Sequence, residues 1–148
     1  MTWLHPLLVF LHVLASSLWM GAALWVAGDV SRALGLGRPH VDALAARIRP
    51  QLGLDAAAGI ATVATGLLVM WEESMARPRM GIAAGFFLAL VRLGLLAGLR
   101  RAWRSVAARL ARGETVEARD PAVRRMSMLS GMAHAAWLLA LAGMIFPV

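Results

Sequence analysis

Apolar residues dominate four stretches of the chain, about residues 4–27, 54–71, 80–99 and 126–146. Each approaches the ~20 residues a helix needs to cross the hydrocarbon core of a bilayer. Two of the more polar stretches between them keep a helical rhythm. Over residues 40–50, Val41, Leu44 and Ile48 recur at helical spacing before Pro50, which is expected to interrupt the segment. Over residues 100–112, Trp103, Val106, Ala107 and Leu110 share a face opposite arginines, so the third span should run on past the membrane until Gly113 stops it. The pattern predicts an all-α protein: a single-domain integral membrane four-helix bundle over residues 1–148, with amphipathic cytoplasmic segments after the first and third spans.

Small residues spaced four apart supply the expected packing faces: Ser17 and Gly21, then Ala58, Thr62 and Gly66, then Gly131 and Ala135. The first apolar run is too long for a secretion signal and has no basic segment before it, so it reads as a retained span.

Composition strengthens this reading, since 60% hydrophobic residues in 148 exceed what a soluble core of that size hides. All 15 basic residues are arginine, and they crowd the first and third connections, while Arg77 and Arg79 in the second are offset by Glu72 and Glu73. By the positive-inside rule those two connections are cytoplasmic and both termini periplasmic, which points to a multi-pass protein of a bacterial inner membrane. The net charge of +7 sits beside the spans, where lipid phosphates meet it, and does not form a nucleic-acid surface. Without cysteine, a metal would need His, Met or oxygen ligands.

Polar residues inside the spans carry the chemical interest. Counted from the outer surface, His12 lies roughly 12 Å deep, Arg92 roughly 15 Å and His134 roughly 18 Å, on three different helices. A mid-bilayer charge costs on the order of 3 kcal/mol and needs a partner. Asp29 and Asp55 read as belonging to cytoplasmic span ends, so Arg92 is expected to meet an anion that the polypeptide does not supply. A b-type haem would answer both puzzles, with His12 and His134 as axial iron ligands, Arg92 on a propionate, and Trp19 and Trp137 nearby. Ala15, Ser16, Gly131, Ala133 and Ala135 would leave room for the ring. A second constellation, His5, Met70, Met75 and Met80 at the outer ends of the spans, offers soft donors for copper. In a third reading the histidines and Arg92 only link helices, and the chain is a ligand-free structural subunit. No nucleophile with an orienting carboxylate, phosphate-binding loop or HExxH pattern is present.

The first span, LHVLASSLWMGAAL, with His12, Trp19 and Gly21, resembles the opening helix of the CopD-like (copper resistance D) membrane proteins and the related HemJ-type protoporphyrinogen oxidases. VRRMSMLSGMAHAAWLLALAG resembles the last helix of the CopD group. The resemblance implies a four-helix inner-membrane bundle engaged in copper handling or in haem-dependent oxidation, with His12 at the position of the family's first-helix histidine. The HemJ pattern has a lysine in its third helix, where Arg92 is the nearest basic residue. The function expected is therefore electron transfer or oxidation of a membrane-soluble partner through a midplane haem, with periplasmic copper binding or import as the alternative. Beyond the lipid bilayer, the partners implied are a redox or metal-delivery protein and a possible second copy.

Overall fold

The computed structural model describes residues 3–22, 25–72 and 80–145. They form five helices: α1 (Leu4–Ala22), α2 (Val26–Leu36), α3 (Arg38–Glu72), α4 (Met80–Ala111) and α5 (Pro121–Ile145). Among the described residues, four helical stretches are long and apolar enough to cross a membrane: the one that begins at Leu4, and α3, α4 and α5. Their outward faces are apolar as well, with Phe10, Leu18, Ile60, Phe87 and Leu138 all exposed. That suits a lipid solvent, not water. Trp3 and Trp71, also exposed, sit at the same end of the bundle, where interfacial aromatics belong.

Two amphipathic segments are not separate elements. Residues 40–50 are the first turns of α3 and residues 100–112 the last turns of α4, so these helices run 35 and 32 residues. At about 1.5 Å per residue each exceeds a ~30 Å hydrocarbon layer. Pro50 lies inside α3 instead of interrupting it. Proline removes one donor, which orphans the carbonyl four residues earlier; here both Pro50 and Ala46 are exposed, so solvent or headgroups can satisfy that oxygen.

Helix α2 is the element the hydropathy pattern hides. Its Val26, Val30 and Ala33 form one buried stripe against Val41, Leu44 and Ile48 of α3, and Gly37, at φ +91°, makes the reversal between the two helices. That seam continues into Leu96, Leu99, Val106, Val123 and Met126, forming the main apolar core at the arginine-rich end. At the other end α4 and α5 approach backbone to backbone: a Cβ on Gly143 would stand 3.3 Å from the Gly81 carbonyl oxygen. The stripe Ala58, Thr62, Gly66 does face another helix, α1, whereas Gly131 and Ala135 are exposed and Gly131 has open space beside it. Ser17 and Gly21 on α1 are exposed too, so spacing identified three stripes and helix rotation decides which one is buried.

Gly113, at φ +80°, closes α4 as expected. The turn into α5 is held by charges: Arg109 Nη1 donates to Asp120 (2.6 Å), Arg109 Nε to Glu114 (3.0 Å) and Arg112 Nε to Glu114 (2.7 Å). Asp120 also accepts from the Ala122 amide at 2.9 Å, capping α5 ahead of Pro121 at its first position. The Arg109 hydrogen bond, aided by that amide, holds the Asp120 carboxyl below its ordinary range, and Arg112 and Arg109 do the same for Glu114. A depressed carboxylate stabilises the fold fully above the ordinary range and loses that contribution as pH falls through the folded value. Thermal unfolding of detergent-purified protein should therefore show a decline in Tm below about pH 4. Asp120→Asn, which preserves the cap, should reduce this decline, and Asp120→Ala should in addition cost about 1 kcal/mol at neutral pH.

Candidate intramembrane site

Helices α1 and α3 pack as one pair and α4 and α5 as another, with α3 also touching α4. Between α1 and the α4–α5 pair lies a cavity of about 370 Å³, walled by His12, Ser16 and Trp19 on one side and by Ala89, Arg92 and Trp137 on the other. A second cavity of about 300 Å³ shares His12, Thr62, Ala89 and Met144 with it and extends toward Gly66 and Met70. Both are otherwise mostly apolar.

Arg92 is the most deeply buried charge, 1% exposed. Its Nη2 donates to the Trp19 carbonyl at 2.7 Å and lies 3.4 Å from Asp55 Oδ1, and its guanidinium carbon sits 4.3 Å from the centre of the Trp19 ring. Each contact has a local cause. Trp19 belongs to the last turn of α1, whose carbonyls lack intrahelical partners and carry partial negative charge, so a cation is favoured there. Gly59 leaves room for the indole, since a Cβ would fall 2.7 Å from its ring. Asp55 reaches this level because α3 is continuous through Pro50 and has already climbed several turns by residue 55.

This corrects one expectation directly. The counter-ion of Arg92 is supplied by the chain itself, as Asp55, itself 3% exposed. The residue was missed because a helix starting near residue 54 puts Asp55 at a span end, whereas one starting at Arg38 puts it mid-helix. Its flanking small residues, in GLDAAAG, were the available signal.

His12 stands on a shelf formed by α3. Its Nδ1 lies 3.0 Å from the Thr62 carbonyl and 3.1 Å from Thr65 Oγ1, while Thr65 spends its own proton on the Ala61 carbonyl at 2.7 Å. Both neighbours must accept, so Nδ1 carries the proton and neutral His12 has its lone pair on Nε2. The ring rests against Gly66, where a Cβ would come 3.1 Å from Cε1. Imidazoles that bind metals have this arrangement, one nitrogen fixed to a carbonyl and the other bare.

His134 is not brought to the cavity. It lies one helical turn before Trp137, the first α5 residue to reach the wall. Its Nδ1 donates to the Ser130 carbonyl at 2.7 Å, and its Nε2 is buried without a partner among the described residues. Three donors are buried in the same condition: Arg92 Nε, Arg92 Nη1 and Trp19 Nε1. The cavity wall therefore holds a basic nitrogen at His12, while the unspent N–H groups of Arg92 and Trp19 are buried among the helices, the indole N–H against Gly59 of α3.

Of the copper candidates, His5 Nδ1 lies 2.9 Å from Glu72, Met80 is exposed, Met70 lines the second cavity, and Met75 lies outside the described residues. Among the described residues no group of three or more His, Asp or Glu is placed to hold a metal ion. Compared with known proteins, the chain matches no family model, no curated protein and no solved structure.

Removing one member of a buried ion pair leaves the other charge uncompensated, at about 3–5 kcal/mol. Asp55→Leu should lower stability by that amount in detergent thermal unfolding, and adding Arg92→Met should recover most of the loss. If the double variant is no better than the single, the pair is not the coupling element.

Proposed function

We propose that this is a membrane redox protein that seats a b-type haem between α1 and the α4–α5 pair, with His12 as the iron ligand. The observation that carries the proposal is the state of His12: the Thr62 carbonyl claims its Nδ1–H, so Nε2 is the nitrogen left for a metal, on a ring that lines both cavities. The residues fit a tetrapyrrole in part. Apolar walls suit its faces, while the unspent donors of Arg92 and Trp19 are buried among the helices and would reach its carboxyl edge only by side-chain movement. Asp55 already neutralises Arg92, so hydrogen bonding rather than net charge would hold that edge. His134 lines neither cavity, and the proposal uses His12 alone.

When bound, a haem supplies one-electron chemistry. The chain fixes the imidazole tautomer through Thr62 and Thr65 and keeps water away with the apolar walls. The gap between α1 and α5 gives a membrane-soluble partner a lateral approach. With four spans the termini share a side, and the arginine-rich connections favour a periplasmic placement of that side in a bacterial inner membrane. The CopD-like resemblance agrees with this reading through His12 and Trp19.

The copper reading is favoured by one observation, that Met70 and Met144 line the second cavity together with His12, two thioethers beside an imidazole. Spectra and metal content separate the two. Native protein purified from haem-replete cells should show a Soret band that His12→Ala abolishes and His134→Ala retains. A colourless native protein overturns the haem assignment, and bound copper in that sample, lost with Met70→Ala, establishes the alternative.

A further inference from the structure

A third cavity, about 650 Å³, opens between α3 and α4 at the arginine-rich end, lined by Arg49, Leu52, Gly53, Arg100, Trp103 and Arg104. It contains three guanidinium groups and no carboxylate. None of the three arginines forms an ion pair among the described residues, whereas Arg38, Arg92, Arg109 and Arg112 all do. Arg100 is anchored, its Nη2 donating to the Leu52 carbonyl at 2.6 Å, and Arg49 and Arg104 stand exposed on either helix. Gly53 keeps the floor open, with nothing within 4 Å of the position a Cβ would take. Trp103, 7% exposed, closes one wall.

Position along the helices identifies what such a pocket would meet. Counted from Glu72 down α3 and from Met80 down α4, the three arginines lie roughly 30–36 Å from the opposite end of the bundle. A hydrocarbon layer is about 30 Å thick. The guanidinium groups therefore fall one bilayer thickness from the tryptophans of the far rim, at the depth of the near leaflet's phosphates. Guanidinium forks match phosphate oxygens in geometry as well as charge. Basic pockets between spanning helices at this level are suited to anionic headgroups.

We infer that the cavity formed by Arg49, Arg100 and Arg104 is a binding site for the phosphate of an anionic phospholipid, a site separate from the central cavity and independent of any cofactor there. Arg100 provides the fixed donor and Arg49 and Arg104 close on the phosphate from the two helices. Bound lipid would tie α3 to α4, which meet over a smaller contact than the α1–α3 and α4–α5 pairs.

The test uses delipidated full-length protein in detergent and reads Tm against added dioleoyl-phosphatidylglycerol, dioleoyl-phosphatidylcholine or inorganic phosphate. Saturable stabilisation by phosphatidylglycerol alone is expected. The concentration for half the effect should rise at least about fivefold in Arg49→Gln/Arg104→Gln. It should not change in Arg47→Gln/Arg101→Gln, which removes two exposed arginines of the same helices that do not line the cavity. Equal stabilisation by phosphatidylcholine, a response to inorganic phosphate alone, or equal loss in the control variant overturns the inference. Native mass spectrometry gives a second readout on unmodified protein: retained phosphatidylglycerol supports the site, and its absence after mild delipidation counts against it.

Discussion

A buried guanidinium that must find both a negative charge and a carbonyl fixes the centre of this bundle. Arg92 obtains the charge from Asp55 on α3 and the carbonyl from Trp19 in the last turn of α1, and it lies over the Trp19 ring. Three helices are joined at one residue. In a low-dielectric interior none of these contacts is dispensable, because each compensates a desolvation that the others cannot offset alone. The arrangement also constrains sequence far from Arg92: α3 must pass through Pro50 unbroken for Asp55 to arrive at this level, and Gly59 must remain small for the indole to lie flat.

The bundle is packed unevenly along its length. Toward the arginine-rich end, α2, the start of α3, the end of α4 and the start of α5 bury a continuous apolar core with Val26, Ile48, Val106 and Met126 at no measurable exposure. Toward the other end the buried cluster shrinks to Trp19, Ala58 and Ala89, and cavities take its place. One end has the packing of a water-soluble domain and the other depends on lipid and on few polar contacts.

Much of this was legible in the sequence. Hydropathy marks the four spans, and Gly113 marks the end of α4. The Ala58–Thr62–Gly66 stripe marks the face of α3 that meets α1, and His12 stands out by its depth. What was hidden depended on where helices begin and how they rotate. α2 is short and weakly apolar, so its role emerges only once its valines are seen against α3. The apolar run begins sixteen residues after the start of α3, so hydropathy puts Asp55 at a span end and hides it as the partner of Arg92. His134 lies one turn from Trp137 yet lines neither cavity, because residue spacing within one helix cannot register which residues meet another helix.

The same geometry bears on whether His12 serves only to join helices. A linking histidine needs one polar contact, and His12 has it through Nδ1 to Thr62 and Thr65. An amide or hydroxyl could supply that link without leaving a basic nitrogen behind. Imidazole adds a second nitrogen whose lone pair the first contact exposes, and the fold clears the space around it by placing Gly66 beneath the ring and cavities on both sides. The tautomer set by Thr62 leaves Nε2 as the nitrogen able to bind a metal.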